Sequence, residues 1–270
     1  AASAKGAVGV INRSLSTIND DNPHTGSMGY KDSTNMIPAA AISIIGAELL
    51  HGALQKGPVE MQLEMNCETL PDVKSYNVIG EIRGNKFPDE VIVVGGHLDS
   101  WDLAEGAQDD GAGVVQSIEV LRLFKQLNIK PEHTIRCVLF MNEENGLRGG
   151  KGYAKWVADS GEKNSYAIES DAGGYTPRGF SFNVEPGKME AIKSWEPIFD
   201  PYLSNRFIKG HGGADIGPLK ATGTITIGLR PDTERYFDMH HSANDVFEGV
   251  NKRELHLGAA GMASLIYLLD

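Results

Sequence analysis

The chain has 270 residues, of which 41% are hydrophobic and 23% charged, which allows one sizeable core and argues against a wholly disordered chain. Its formal net charge of −11 argues against nucleic acid or an anionic membrane as the main partner, because both favour a basic surface. Two cysteines exclude a disulfide framework, and the longest apolar run, residues 36–50, is too short to span a bilayer.

The first 66 residues are predicted to be part of a small lobe. Strands are expected at residues 6–12 and 37–43, with a polar, loop-like stretch at 14–35 between them. A short helix should follow and end near Gly57. Alternating apolar residues at 61–67 then predict a half-buried strand.

From residue 76 onward, apolar strands alternate with helices. Strands are predicted at residues 77–84, 90–99, 134–144, 166–174 and 224–229, and helices at 111–127, 149–159 and 252–269. This alternation predicts a three-layer α/β domain. The inward-facing stripe of the first helix is expected to be Val114, Val115, Ile118, Leu121 and Phe124. Cys67 and Cys137 lie in apolar, strand-like runs and are expected to be buried free thiols.

Acids and histidines follow several of these strands at the point where each strand ends. These are His97 with Asp99, Glu143 with Glu144, and Asp171; Asp109 with Asp110 and His240 with His241 are further clusters elsewhere in the chain. In open α/β sheets, ligands bind at the carboxyl ends of the strands, so we expect the clusters to converge. Burying so many like charges costs several kcal/mol per ion unless a cation lies among them. A divalent metal is the natural cation, and mixed His and carboxylate ligands suit zinc.

Taken singly, each cluster also has an ordinary structural interpretation. A His-x-Asp sequence after a strand can be a local hydrogen bond, and Asp-Asp-Gly is a common turn and helix cap. The His240-His241 segment with Asp245 can be a capped turn. Two adjacent carboxylates directly after a hydrophobic strand are less usual. The joint occurrence of all the clusters, in this order, therefore favours a metal site.

Five motifs carry a family resemblance. They are GGHLDSWD at 95–102, GAQDDGAG at 106–113, NEENGLRGG at 142–150, ESDAGG at 169–174 and MHHSAND at 239–245. These motifs resemble the co-catalytic two-zinc peptidases, the superfamily that includes bacterial leucyl aminopeptidases and glutamate carboxypeptidases. HGGADIGPL at 211–219 and YFDMHHS at 236–242 are similar to its plasma glutamate carboxypeptidase (carboxypeptidase Q) branch.

The resemblance covers about residues 76–270 and implies a fold. It implies a three-layer α/β/α zinc-peptidase domain with a mostly parallel, mixed central sheet. Residues 1–66 resemble the C-terminal portion of the protease-associated domain that this branch carries inserted in its peptidase domain. The domains are therefore expected at 1–66 and 67–270.

The resemblance also implies the ligands of two zinc ions per chain. Carried over position by position, His97 and Asp171 would hold one ion, and Glu144 and His241 the other. Asp109 would bridge both. This assignment rests on the resemblance, whereas the burial of several carboxylates together requires only that some cation be present.

The resemblance further implies the residues around the metals. Glu143, adjacent to a ligand, would be the general base that activates a water between the two ions. Asp99 would accept the second ring N–H of His97 and so orient this ligand. Asp110 would shape the backbone beside the bridging carboxylate.

Two further residues have open roles. His240 precedes a ligand where some relatives use a Tyr to stabilise the oxyanion, so it would either share that role or pack around the ligands. Asp215 would contact the free amine of a substrate.

The resemblance implies a zinc-dependent exopeptidase that hydrolyses dipeptides or short peptides from a free terminus. No motif decides between aminopeptidase, dipeptidase and carboxypeptidase. Two alternatives remain open: a non-catalytic, receptor-like binding module of the same fold, and a single-zinc glutaminyl cyclase-like acyltransferase. The expected partners are short peptides, without nucleic acid or a membrane span, and a homodimer is compatible with the sequence. The resemblance favours a secreted, periplasmic or lysosomal setting, although residues 1–14 lack the pattern of a signal peptide.

Overall fold

The structure, a computed structural model, describes residues 1–30 and 36–270. Within these ranges the strands are β1 Val10–Arg13, β2 Ala39–Ile42, β3 Val78–Ile82, β4 Phe87–His97, β5 His133–Phe140, β6 Lys163–Glu169, β7 Pro177–Asn183, β8 Arg206–Lys209 and β9 Ile225–Pro231. The helices are α1 Ile44–Leu54, α2 Ala112–Gln126, α3 Arg148–Ser160, α4 Pro186–Lys193, α5 Glu196–Phe199, α6 Tyr236–Met239 and α7 Lys252–Leu269. The predicted strands and helices between residues 77 and 269 are confirmed, with somewhat different ends.

Seven of the described strands form one mixed sheet in the order β3-β5-β4-β6-β9-β7-β8. The four neighbours β5, β4, β6 and β9 run parallel. β3 pairs antiparallel with β5 and β7 antiparallel with β9, while β8 pairs parallel with β7. The predicted mostly parallel, mixed sheet is confirmed. The carboxyl ends of its four parallel strands lie at one edge, which we call the carboxyl edge.

Helices cover both faces of this sheet. In β4, Ile92 and Val94 belong to a buried cluster with apolar residues of α2 and α7, whereas Val91 and Val93 belong to a second cluster with those of α3. All four side chains are at most 1% exposed. The strand is therefore a continuous apolar run, as expected where both faces of a parallel sheet are buried. The predicted three-layer arrangement is confirmed.

The predicted inward face of α2 is wrong in part. Val115 is 45% exposed and Ile118 is 49% exposed, whereas Phe124 is buried. The helix turns Gln116 and Ser117 inward, and Gln116 accepts a hydrogen bond from Ser170 Oγ and donates one to the carbonyl oxygen of Leu255 on α7. These polar contacts rotate the helix away from its apolar stripe.

The small lobe is built around β1, β2 and α1. β1 pairs parallel with β2, and the Ser43 side chain caps α1 by accepting a hydrogen bond from the N–H of Gly46 at 2.9 Å. The two predicted strands are confirmed but shorter, and the helix ends at Leu54. Residues 14–30 form no helix or strand, as predicted, and 31–35 lie outside the described residues. The domain boundary after residue 66 stays a prediction.

The predicted strand at 61–67 is wrong. This segment contains neither helix nor strand, and Met61 and Cys67 are exposed. A strand needs a hydrogen-bonded neighbour, and the described residues offer none to this segment. The expectation of a buried thiol is consequently wrong for Cys67 and confirmed for Cys137.

Two strands of the sheet, β7 and β8, escaped the sequence analysis. Gly179 and Pro177 interrupt the apolar pattern of β7, and β8 has only four residues. Phe180 and Phe182 of β7 nevertheless pack with Phe207 of β8 in an aromatic cluster, with ring centroids 5.3–5.7 Å apart between the two strands.

None of the helices within 1–30 and 36–270 combines the length and the apolar surface that crossing a bilayer demands.

Candidate active site

The predicted ligand residues meet at the carboxyl edge of the sheet. His97 ends β4, Glu144 follows β5 and Asp171 follows β6. Asp109 lies in the irregular segment that leads into α2, and His241 lies in the loop after α6. The edge thus collects side chains that are up to 144 positions apart in the chain, as the parallel strands dictate.

Asp109 lies between two pairs of these side chains. Its Oδ1 is 3.2 Å from Nε2 of His97, and this nitrogen is 3.4 Å from Oδ1 of Asp171. Its Oδ2 is 3.3 Å from Nε2 of His241, and this nitrogen is 3.1 Å from Oε2 of Glu144. Each oxygen of one carboxylate therefore faces its own histidine–carboxylate pair.

The hydrogen bonds behind the two imidazoles define which nitrogen faces the carboxylates. Nδ1 of His97 lies 2.8 Å from the carbonyl oxygen of Asp99, and Nδ1 of His241 lies 3.3 Å from that of Thr25. A carbonyl oxygen only accepts, so Nδ1 carries the proton in each ring. The neutral rings then direct their Nε2 lone pairs toward carboxylate oxygens, which is the arrangement of metal ligands.

The site also attracts positive charge. Burial alone would lower the pKa of His97, but the carboxylates of Asp109 and Asp171 outweigh it and raise this pKa far above its usual value. His241 is likewise desolvated, and the carboxylates of Asp109 and Glu144 raise its pKa to about 10. Without a metal, these rings would take up extra protons to neutralise the cluster.

The donor set fits a metal. Asp109 Oδ2 and Glu144 Oε1 are buried and accept no hydrogen bond from the described residues. Among residues 1–30 and 36–270, three overlapping groups have potential ligand atoms that lie within 4.8 Å of one another in each group: Asp109 with His240 and His241, His97 with Asp110 and Asp171, and His97 with Asp109 and Glu144. Imidazole nitrogen and carboxylate oxygen in such groups suit zinc.

Glu143 lies in the cleft beside these side chains. The cleft has a volume of about 380 Å³ and is lined by Glu143, Asp171, Tyr236 and His240, among others. Burial raises the pKa of Glu143 to about 7, and the carboxylate of Asp171 adds to this effect. A carboxyl group with such a pKa can both take up and release a proton near neutral pH.

The predicted role of Asp99 needs a correction. The backbone carbonyl of Asp99, and not its carboxylate, accepts the ring N–H of His97; the carboxylate lies 3.9 Å from that nitrogen. The carboxylate instead accepts the backbone N–H groups of Glu143 at 3.0 Å and Glu144 at 3.2 Å. The Asp99 carboxylate therefore holds the turn after β5 that carries these two glutamates.

Asp110 occupies a structural position. Its carboxylate accepts the backbone N–H of His97 at 2.9 Å and that of Gly113 at 3.0 Å, and the peptide bond between Asp109 and Asp110 is cis. A Cβ atom on Gly113 would collide with this carboxylate and with the carbonyl oxygen of Ser170. Asp110 therefore connects the end of β4 to the start of α2.

His240 lies in the cleft, where its neutral form is favoured. Its ring stacks on that of His241 with centroids 3.5 Å apart, and its Nε2 is 3.5 Å from Oδ2 of Asp109. Burial lowers its pKa to about 4, against the opposing effect of Asp109. This position is compatible with either role considered above, and the contact with an oxyanion stays a prediction.

The expected contact between Asp215 and a substrate amine is not possible in this structure. Asp215 is 0% exposed, and neither of its carboxylate oxygens has a hydrogen-bond partner among the described residues. The reason lies in its neighbours: Glu169 accepts the backbone N–H groups of Ala214 at 2.7 Å and Ile216 at 2.9 Å, which holds this loop against the protein interior. Burial raises the pKa of Asp215 to about 8.

Three residues of this region have roles that were not predicted from the sequence. The Asp245 carboxylate accepts the backbone N–H groups of Gln108 at 2.6 Å and Asp109 at 3.0 Å, and the Gln108 side chain accepts that of Gly174 at 2.7 Å. Tyr236 lines the cleft, with its ring 4.9 Å from that of His240. All three lie inside quoted motifs, Gln108 in GAQDDGAG, Tyr236 in YFDMHHS and Asp245 in MHHSAND, so the signal was present but not their roles.

The chain is similar to known peptidases over most of its length. The chain is 33% identical to carboxypeptidase Q of Mus musculus over 98% of its own length. A crystal structure of a peptidase M28 precursor from Shewanella amazonensis SB2B superimposes with a TM-score of 0.89 and 36% identity over 99% of this chain. A zinc aminopeptidase from Bacillus subtilis, 20% identical, shares the fold with a TM-score of 0.58 over 72% of this chain and 49% of its own.

The chain spans about half the length of its curated relatives: 56% of the mouse protein, and 61% of the Shewanella chain. The profile of peptidase family M28 matches residues 77–266, which contain all five predicted ligands and Glu143. With this match and the two relatives above 30% identity, the chain belongs to peptidase family M28.

Proposed function

We propose that this protein is a zinc-dependent exopeptidase that binds two zinc ions and releases residues from dipeptides or other short peptides with a free terminus. One observation carries the proposal: each carboxylate oxygen of Asp109 faces a separate histidine–carboxylate pair. A carboxylate placed in this way can bridge two cations, and a co-catalytic pair of cations suits hydrolysis of a peptide bond.

These distances support the proposed ligands. His97 and Asp171 would hold one ion, Glu144 and His241 the other, and Asp109 both. The carbonyl oxygens of Asp99 and Thr25 would leave Nε2 of each histidine free to hold a metal ion. The ions, when bound, would polarise the scissile carbonyl group and lower the pKa of a water between them.

Glu143 would move the proton. Its carboxylate lies in the cleft next to the proposed ligands, and its pKa of about 7 suits a group that takes a proton from water and delivers it to the leaving amine. Asp99 would position this base, because its carboxylate accepts the backbone N–H of Glu143. Asp245 would position the bridging carboxylate in the same way.

The cleft supports a small substrate. Its volume of about 380 Å³ lies at the lower end of the range of small-molecule sites, about 300–1,000 Å³. The acidic side chains of its wall would attract the ammonium group of a free amino terminus. Whether the enzyme acts on the amino or the carboxyl terminus of a peptide depends on how the substrate binds. The predicted homodimer and the secreted, periplasmic or lysosomal setting stay predictions.

The decisive experiment combines a metal count with a dipeptide library that has free and blocked ends. We expect two zinc ions per chain, hydrolysis of unblocked dipeptides, loss of hydrolysis on chelation and recovery with zinc. Two bound ions without hydrolysis of any library member would favour the non-catalytic module. One ion, together with cyclisation of an amino-terminal glutamine, would favour the glutaminyl cyclase-like alternative.

A further inference from the structure

A segment outside the region matched by the family profile reaches the proposed metal site. Residues 14–25, here called the strap, follow β1 and start from the small lobe. Ser14 donates from N to the carbonyl oxygen of Ile42 at 2.9 Å and accepts, through Oγ, the N–H of His24 at 2.8 Å. Asp21 accepts a hydrogen bond from Oγ of Ser43 at 2.6 Å. Both ends of the strap are therefore attached to β2 and the start of α1.

The strap is also attached to α6, which leads directly into the loop that carries His241. Asp238, 8% exposed, accepts four hydrogen bonds from the strap at Oδ1. The donors are Thr17 N at 2.8 Å, Thr17 Oγ1 at 2.8 Å, Ser16 Oγ at 3.2 Å and Ile18 N at 3.3 Å. Such a concentration of donors on one buried carboxylate oxygen makes Asp238 the main anchor between the strap and the loop.

Asn244, at the other end of the same loop, adds a second anchor. Its amide oxygen accepts a hydrogen bond from Asn22 Nδ2 at 2.7 Å, and its amide nitrogen donates to Asp20 Oδ2 at 2.5 Å. The amide nitrogen also donates to the carbonyl oxygen of Asp238 at 3.1 Å. The loop is therefore held by the strap on both sides of His241.

The last residue of the strap contacts His241 itself. Thr25 donates its N–H to the carbonyl oxygen of His241 at 2.8 Å, and its own carbonyl oxygen lies 3.3 Å from Nδ1 of that residue. His241 has a φ of 57°, a left-handed conformation that a non-glycine residue keeps only where its surroundings enforce it. The backbone of Thr25 supplies such surroundings and also sets the ring tautomer.

We propose that the strap is part of the metal site: it positions His241, and through it tunes the affinity of the zinc ion shared with Glu144. This inference rests on the proposed function, since it takes His241 as a ligand. Hydrogen bonds behind a histidine ligand fix its orientation and its basicity, so their loss weakens metal binding. His97 has its corresponding partner, Asp99, within the profile match, whereas His241 depends on residues 14–25, which precede it.

The test measures zinc affinity without substrate, by titrating the metal-free protein with Zn²⁺ in competition with a chromophoric chelator. In Asp238→Ala we expect one of the two sites to weaken about 10–100-fold and the other to keep its affinity. Asp238→Asn, which retains an acceptor oxygen, should restore most of the affinity. Asp232→Ala, which removes a carboxylate paired with Arg178 at 3.0 Å, is the matched control and should leave both sites unchanged.

A second background assigns the affected site. In the His241→Ala background, adding Asp238→Ala should not change the zinc affinity of the remaining site, because the strap then has no ligand to position. If Asp238→Ala does not fold, as judged by circular dichroism, Thr17→Val removes a single hydrogen bond and should give a smaller, equally site-selective weakening. Unchanged affinity at both sites, or equal weakening of both, would contradict the inference. Failure of the unaltered protein to bind two zinc ions would instead contradict the proposed function.

Discussion

At the scale of single residues, the carboxylate of Asp109 organises the site. The burial of this carboxylate would be costly without a cation, because two other carboxylates are close to it. Asp171 contacts Nε2 of His97 and Glu144 contacts Nε2 of His241, the two nitrogens that Asp109 also faces. Four distances of 3.1–3.4 Å connect Asp109, the two histidines and their two carboxylates, and we propose one cation position on each side of Asp109. Glu143 stands apart from these contacts, which is why we assign it a proton-transfer role and not a ligand role.

Substitution of Glu143 separates these roles. Glu143→Gln removes the base but no proposed ligand, so we expect two bound zinc ions and a turnover lower by about 10²–10⁴-fold. The measurements are metal content and kcat on an unblocked dipeptide. Glu119→Gln, on α2 and paired with Arg122 at 2.6 Å, is the control and should match the unaltered protein. Near-normal turnover in Glu143→Gln would exclude this residue as the base.

Asp245 offers a second test at this scale. It is 3% exposed, and Asp245→Ala would leave the buried N–H groups of Gln108 and Asp109 without their acceptor. Because Asp109 contacts both proposed metal positions, we expect zinc affinity to fall about 10–100-fold at both. Asn251→Ala, which removes the cap of α7, is the control for a loss of stability alone. Zinc affinity that falls no further in Asp245→Ala than in this control would refute the positioning role.

At the scale of elements, polar contacts act together with apolar packing at the buried face of α2. Gln116 bonds to Ser170 beside the site and to α7, so the helix presents Phe124 to the core and leaves Ile118 half exposed. The same helix begins directly after the segment of Asp109 and Asp110. Its rotation and the position of the bridging carboxylate are thus coupled.

The orientation of α2 predicts unequal effects for two residues of one apolar stripe. Phe124→Ala should lower the free energy of unfolding by about 3–5 kcal/mol, because the side chain is 1% exposed and leaves a cavity. Ile118→Ala should change it by less than about 0.5 kcal/mol, as for an exposed site. Both are measured by urea unfolding of the metal-free protein. Equal losses would show that Ile118 also faces the core.

At the scale of the whole molecule, the sequence predicts the convergence of the candidate ligands better than the contacts around them. His97, Glu144 and Asp171 lie at the ends of strands that are apolar runs, and the carboxyl edge of a parallel sheet brings such positions together whatever lies between them. Asp109 and His241 lie in segments next to α2 and α6. β7 and β8 were not predicted because Pro177, Gly179 and a length of four residues obscure their pattern. Residues 61–67 alternate as a strand does, but the pattern cannot tell whether a partner strand exists.

The contacts that position the ligands lie beyond what a local pattern can predict. The hydrogen bond between His241 and Thr25 joins residues 216 positions apart, and the one between Asp245 and Asp109 joins residues 136 apart. Several of these contacts use backbone atoms, which every residue type carries. Thr25 therefore leaves no signature in the sequence, although the strap links the small lobe to the site.

The most direct test of two cations bridged by Asp109 is an anomalous difference map, recorded at the zinc absorption edge from crystals of the zinc-loaded protein. We expect two peaks about 3.5–4 Å apart, one beside His97 and Asp171 and the other beside Glu144 and His241. A single peak, or two peaks that do not share Asp109, would contradict this account.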